Sequence, residues 1–224
     1  MKRTKIHFVI VSLFCTLIAA CGLDNYDAPS VRLTGKVMYN SAPVGVRGSN
    51  ESVRLQLWQD GFPLRTAIDV FVTQDGSFSS SLFNGKYKLI TVSGNGPWAH
   101  SSDTVLIDVN GDTYIDFPVK PYYALSDVTY TLEGSVLRAT LNISQVDAAR
   151  NLDDISLLVN DTKFVDLGHF VNRATVSDAD DGMVTLSLDV GENLASSTAL
   201  FARVAAKING ITEAVYDARV EKIK

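Results

Sequence analysis

The side chains in this chain best equipped to recognise a ligand are aromatic. Trp58, Phe62 (in Gln59-Asp60-Gly61-Phe62-Pro63), Trp98 (in Gly94-Asn95-Gly96-Pro97-Trp98) and Tyr123 fall in or beside turn-forming stretches. A ring on a loop offers its face to sugar C–H groups, so these four are the candidate carbohydrate contacts, with Trp98 first and Trp58 second. Turned inward, Trp58 and Trp98 would cap the open edges of a sandwich, and Tyr123 would seal a domain junction. Catalytic groups are scarcer. Beyond the first 20 residues the only histidines are His100 and His169, and the sequence contains no Gly-x-Ser-x-Gly, no His-Glu-x-x-His and no phosphate loop. Paired carboxylates of the glycosidase kind are compatible with the sequence, but small domains leave little material for a catalytic cleft. The expectation is a protein that is not an enzyme and carries no cofactor.

Two acidic strings bear on metal binding. Asp108-Val109-Asn110-Gly111-Asp112 looks like the start of a calcium loop. Its sixth position is Thr113 and its twelfth is Val119, where such a loop wants glycine and an acid. Val105 and Ile107 before it, with Ile115, Phe117 and Val119 after it, predict a β-hairpin instead. Asp178, Asp180, Asp181 and Gly182 read as a solvated turn ahead of a strand from Met183. No metal site is expected.

The one cysteine with a distinct chemical setting is Cys21. Lys2, Arg3 and Lys5 precede an apolar run from Ile6 to Ala20, which ends in Ile18-Ala19-Ala20-Cys21. About 15 apolar residues are short of the roughly 20 that a membrane span needs. The basic flank and small-residue exit fit a cleaved signal. The stretch resembles a bacterial lipoprotein signal and lipobox, which implies removal of residues 1–20 and acylation of Cys21. Cys15 leaves with the signal, so the folded part has no free thiol and no disulfide. Loss of Lys2, Arg3 and Lys5 takes the formal net charge from −5 to −8. An acidic chain without basic runs is poorly suited to nucleic acid or to electrostatic adhesion to anionic lipid. Its expected hold on the membrane is the lipid.

The elements that must position the aromatics read as all-β, in two consecutive small sandwiches. Residues 21–30 form a polar tether, 31–120 a first domain and 121–224 a second, with the boundary near Pro118 and Pro121. In the first, Val53, Leu55 and Leu57 alternate with Arg54, Gln56 and Trp58, which puts Trp58 on the polar face. Asp75-Gly76 and Asn84-Gly85 mark turns. In the second, Leu137, Ala139, Leu141 and Ile143 alternate, as do Val184, Leu186 and Leu188, and Leu200, Ala202, Val204, Ala206 and Ile208 share one face. That pattern suits an immunoglobulin- or fibronectin-like sandwich, with room for one helical turn at Val146 to Leu152. Parity predicts three-residue loops at both later Asn-Gly pairs. Val109-Asn110-Gly111 would set Val105 opposite Ile115 and Ile107 opposite Thr113. Ile208-Asn209-Gly210 would set Ala202 opposite Tyr216 and Leu200 opposite Ala218.

Thr73 to Gly94 (TQDGSFSSSLFNGKYKLITVSG), with Leu33-Thr34-Gly35-Lys36-Val37 upstream, resembles a carboxypeptidase regulatory-like, transthyretin-like domain. With the lipobox, LDNYDAPS and DFPVKPY, the whole chain resembles a domain-of-unknown-function family of two-domain Bacteroidetes lipoproteins encoded near SusC/SusD-type glycan importers. Acidic Asp24 and Asp27 after the cysteine resemble the surface-export signal of such lipoproteins. The resemblance implies an outer-membrane lipoprotein facing the cell exterior (periplasm-facing as the second choice), serving as an accessory or scaffold of glycan uptake. Its partners would be importer subunits. The alternatives are a direct carbohydrate-binding module and an adhesion protein.

Overall fold

Alternation of buried and exposed side chains builds the first sandwich. The computed structural model describes residues 27–61, 66–177, 179 and 181–224. Cys21, Phe62, Asp178 and Asp180 lie outside them. The first eight described strands are β1 (Val31–Tyr39), β2 (Ala42–Pro43), β3 (Arg54–Trp58), β4 (Ile68–Phe71), β5 (Ser77–Leu82), β6 (Gly85–Thr91), β7 (Val105–Val109) and β8 (Thr113–Pro118). β1 takes β2 and β5 antiparallel and β8 parallel, while β4-β3-β6-β7 form an antiparallel sheet opposite. Leu33, Val37, Leu55, Leu57, Phe78, Tyr87 and Leu89 fill the space between them. Gly35 is required at its place in β1, because a Cβ there would collide with the Ile115 carbonyl and the Phe78 ring. This is the transthyretin-like sandwich expected.

The Asn-Gly corners differ from expectation. Val105 does not pair with Ile115, nor Ile107 with Thr113. Ile107 opposes Tyr87 in one sheet, and Ile115 opposes Gly35 in the other. Asn110-Gly111 therefore carries the chain across the sandwich, as Asn84-Gly85 does between β5 and β6. A hairpin and a crossing corner leave the same apolar alternation on their flanking strands, so parity alone does not distinguish them. The two corners hold each other, with the Gly111 N–H donating to Asn84 Oδ1 at 3.0 Å. Gly111 takes a φ of 107°.

The second sandwich contains β9 (Tyr123–Glu133), β10 (Val136–Gln145), β11 (Leu152–Asn160), β12 (Asn172–Ser177), β13 (Gly182–Asp189), a short helix α1 (Gly191–Ser196), β14 (Phe201–Ile208), β15 (Val215–Tyr216) and β16 (Glu221–Lys222). One sheet is β13-β10-β9. The other is β12-β11-β14-β15, with β16 also on β14. The helical turn expected before Leu152 does not form; the N–H groups of Val146 and Asp147 both bond the Tyr122 carbonyl. The return after Asn209-Gly210 is also longer than predicted, since Tyr216 opposes Ala205 rather than Ala202. The reason lies in β14. Its Ala202–Ile208 face enters the main core as expected, but Phe201, Arg203 and Ala205 on the other face are buried too. Tyr216 must reach that second face to cover Arg203.

The main core runs without a break from Leu33 of the first sandwich to Ile208 and Val215 of the second. The Tyr216 N–H donates to the Gly45 carbonyl at 3.0 Å, and Gln74 Nε2 to the Lys163 carbonyl at 3.1 Å. β1 and β8 run side by side toward this junction, so Val31 stands at the opposite end of the first sandwich.

Candidate functional site

The leading sequence candidate, Trp98, is a core residue, 4% exposed. Gly96 (φ 94°) and Pro97 fold the indole under its own loop, and a Cβ on Gly96 would strike the ring. The loop is tied to the linker between the sandwiches: the Ala99 N–H donates to the Lys120 carbonyl at 2.9 Å, and the Tyr122 N–H to the Pro97 carbonyl at 3.1 Å. Trp98 is thus a peg for the junction and is unavailable for stacking. Tyr123 is also buried, and its hydroxyl accepts from the Leu152 N–H at 2.9 Å. Trp58 lies on the outward face of β3, half-buried, opposite Lys88. The structure does not gather these aromatics into one site.

Tyr123 does form part of the wall of a cleft of about 360 Å³ at the junction. Tyr39 and Pro43 supply one side of it, the start of β9 a second, and the Asp217–Arg219 segment a third. Its shape comes from a β-bulge. Thr129 opposes Thr140 and Ser126 opposes Asn142, which leaves Asp127 and Val128 together facing Leu141. Asp127 has a φ of 52°, a conformation that costs any residue with a Cβ and recurs at functional sites. Its carboxylate stands at the surface and accepts from Ser126 Oγ at 3.1 Å. The Val128 carbonyl accepts from Arg219 Nη2, which also lies 3.6 Å from Asp217 Oδ2.

Beneath the cleft the polar groups are locked. Tyr130 donates its hydroxyl hydrogen to Asp217 Oδ2 at 3.0 Å and accepts from the Val204 N–H at 3.0 Å. Burial, with the Asp217 charge second, holds the Tyr130 phenol far above its ordinary value, so it remains a donor. Arg203, 0% exposed, donates from Nε to the Asp217 carbonyl at 2.7 Å and from Nη1 to the Val165 carbonyl at 3.3 Å. Its Nη2 donates to the Gln74 carbonyl of the first sandwich. The guanidinium lies 4.6 Å from the centre of the Tyr216 ring. Burial lowers its pKa to about 10, which leaves it charged at neutral pH. Burial also pushes Tyr216 up to about 12. One cation therefore fixes the Asp217–Arg219 wall and clamps both sandwiches.

The cleft thus presents a carboxylate acceptor (Asp127), a guanidinium donor (Arg219), and aromatic and prolyl surface (Tyr39, Pro43). Such a set matches the hydrogen-bonding and stacking surface of a hydroxyl-rich ligand. A His–Asp pair does occur elsewhere, with His169 Nδ1 3.1 Å from Asp166 Oδ1. Ser49 bonds to that carboxylate rather than to the imidazole, so no hydroxyl is activated there. Among the described residues, no three His, Cys, Asp or Glu side chains converge to hold a metal. Sequence reading missed Asp127, Asp217, Arg219 and Arg203. One available signal was Arg203, a lone charge in Phe-Ala-Arg-Val-Ala-Ala, a run too apolar for a strand with one wet face.

Residues 31–120 match the family model described as protein of unknown function (DUF3823), N-terminal domain, and residues 123–222 match the domain of unknown function DUF3823_C. The chain is similar to the crystal structure of a DUF3823 family protein from Parabacteroides merdae ATCC 43184. The two share 36% identity with a TM-score of 0.82, over 88% of this chain and 100% of that one. A DUF3823 family protein from Bacteroides ovatus ATCC 8483 shares 31% identity with a TM-score of 0.78, over 87% and 100% of the two chains. The fold also matches a Bacteroides uniformis ATCC 8492 protein provisionally described as carbohydrate binding. That match has 20% identity and a TM-score of 0.69, over 88% and 100%. A search of curated proteins found no match.

Proposed function

This chain belongs to the DUF3823 family, and from that membership we propose that it is a non-catalytic, lipid-anchored surface protein that binds carbohydrate in the cleft between its sandwiches. Asp127 carries this reading. A strained, exposed carboxylate, placed by a bulge beside Arg219 and Tyr39, offers the acceptor, donor and flat surface that a pyranose requires. The provisional description of the Bacteroides uniformis structure as carbohydrate binding agrees with it. Cys21 is the proposed acylation site, on an outer-membrane protein that faces the cell exterior. Cys21 to Ser30 spans at most about 35 Å. The cleft lies at the Tyr39 end of β1, roughly 25–30 Å along the strand from Val31. The binding site would therefore be at the end of the first sandwich opposite Val31.

Accessory duty beside SusC/SusD-type importer subunits is a second reading, supported by a different surface. The outward face of the β4-β3-β6-β7 sheet sets Trp58, Lys88 and Leu106 in one row, and Leu106 is 74% exposed. A glycan array on the soluble Cys21→Ser protein tests the first reading. Binding that is lost in Tyr39→Ala and Arg219→Ala supports it, and the absence of any binding glycan removes it. Co-purification of importer subunits from membranes, lost in Leu106→Asp, tests the second; recovery of the protein alone would count against it.

A further inference from the structure

Across the linker from the cleft lies a larger pocket, about 580 Å³, lined by Thr91, Ser101, Asp103, Phe117, Lys120 and Asp147 among others. We infer that it is a second ligand site, which takes a neutral vicinal diol of the kind carried by a pyranose ring. Lys120 Nζ lies 2.9 Å from Asp147 Oδ2, and both side chains keep open surface toward the pocket, at 58% and 18% exposure. Asp147 Oδ1 also accepts from the Ala149 N–H at 2.9 Å, which fixes the carboxylate. An ammonium has three donors and a carboxylate about four acceptor sites, so each retains capacity after meeting the other. Two adjacent hydroxyls match this pair: one accepts from Lys120 and the other donates to Asp147. Asp103 and Asp147 disfavour an anion, and the Lys120–Asp147 pair offers a matched donor and acceptor that two neutral hydroxyls satisfy together, so the ligand assigned is uncharged.

The pocket is also preformed. Ser101 is held by Thr91, whose Oγ1 donates to its carbonyl at 3.3 Å. Ala99 bonds to Lys120, and the Asp147 N–H donates to the Tyr122 carbonyl at 3.2 Å. The backbone of Trp98 forms an antiparallel bridge with Pro121. The Gly- and Pro-flanked loop that buries Trp98 thus ties the 99–103 wall to the linker, whose Tyr122 carbonyl holds the Asp147 wall.

Methyl β-D-glucopyranoside and methyl α-D-mannopyranoside, titrated into ¹⁵N-labelled protein, test the site, with tetrahydropyran-2-methanol as the control without a vicinal diol. Expected are saturable amide shifts at Ala99–Asp103 and Asp147–Ala149 for at least one glycoside, independent of any response in the cleft, and none there for the control. The affinity read from those pocket shifts should fall at least tenfold in Lys120→Met and in Asp147→Asn and be unchanged in Arg219→Ala, whose side chain lines only the cleft. Both variants alter solvent-accessible side chains, and unaltered spectra elsewhere show that they fold. Shifts confined to Tyr39, Asp127 and Arg219 would overturn this site while supporting the cleft. Shifts that persist in both variants, or appear equally with the control, would overturn it as well.

Discussion

Replacement of Trp98 by alanine separates a structural peg from a sugar contact. The side chain is buried within the continuous core, and truncation of a buried aromatic costs about 3–5 kcal/mol through lost transfer energy and the cavity left behind. For a chain of this size each kcal/mol shifts the midpoint by about 2–4 °C, so the expected fall in Tm is roughly 6–20 °C. The cost should sit at the upper end, because the indole also holds residues 96–99 against the linker and those bonds loosen with it. Urea unfolding followed by circular dichroism is the assay, with the slope m compared between variants to check that the unfolded surface is unchanged. Trp98→Phe, which keeps a ring in the core, should recover part of the loss. A loss below about 1 kcal/mol, typical of surface substitutions, would refute the reasoning and return Trp98 to the list of binding residues.

Other outcomes follow from the same structure. Arg203→Met leaves the Asp217 and Val165 carbonyls without their donor, while the Gln74 carbonyl keeps the Val46 N–H, at about 1–3 kcal/mol for each that stays unsatisfied; an unchanged unfolding midpoint would contradict the clamp. Glu213 is buried, and burial, partly offset by the Arg47 charge and aided to a smaller degree by that of Asp166, raises its pKa above the ordinary 4.5. The folded state therefore binds the proton more tightly, and the wild type loses stability as pH rises from that ordinary value through the raised one. Glu213→Gln should accordingly raise Tm at pH 7 and change it little at pH 4; an equal or lower Tm at pH 7 would contradict the sign. Cys21→Ser should move the protein from the membrane to the soluble fraction, and mass spectrometry of the wild-type N-terminus should show the acyl groups; sedimentation with membranes in both forms would end the lipid-anchor proposal.

Much of this fold is legible in the sequence because period-two alternation is a local property. Leu55 and Leu57 are buried and Trp58 faces outward as their spacing requires, and the two matched family models meet beside Pro118 and Pro121, between residues 120 and 123. Pairing partners are less accessible. Val105 and Ile115 alternate correctly yet belong to different sheets, since the choice between a hairpin and a crossing corner depends on packing between sheets rather than on either strand. Burial of loop residues is similarly hidden. The Gly-Asn-Gly-Pro-Trp string reads as an exposed tip, and only the nearby linker backbone shows that the indole turns inward. The cleft was harder still, because Asp127, Arg219 and Tyr39 are up to 180 positions apart in sequence, and a bulge in β9 leaves only a slight break in alternation.

Calorimetric titration of Asp127→Gly against the wild type, with a glycan that binds the wild type, tests the central claim most directly. Glycine adopts a φ of 52° freely and removes the carboxylate, so the folded state should gain up to about 1 kcal/mol while affinity for the glycan falls at least tenfold. Higher stability with weaker binding is the predicted result. An unchanged Kd would contradict the account, because a strained acidic residue that contributes nothing to binding would leave the cleft without its defining group.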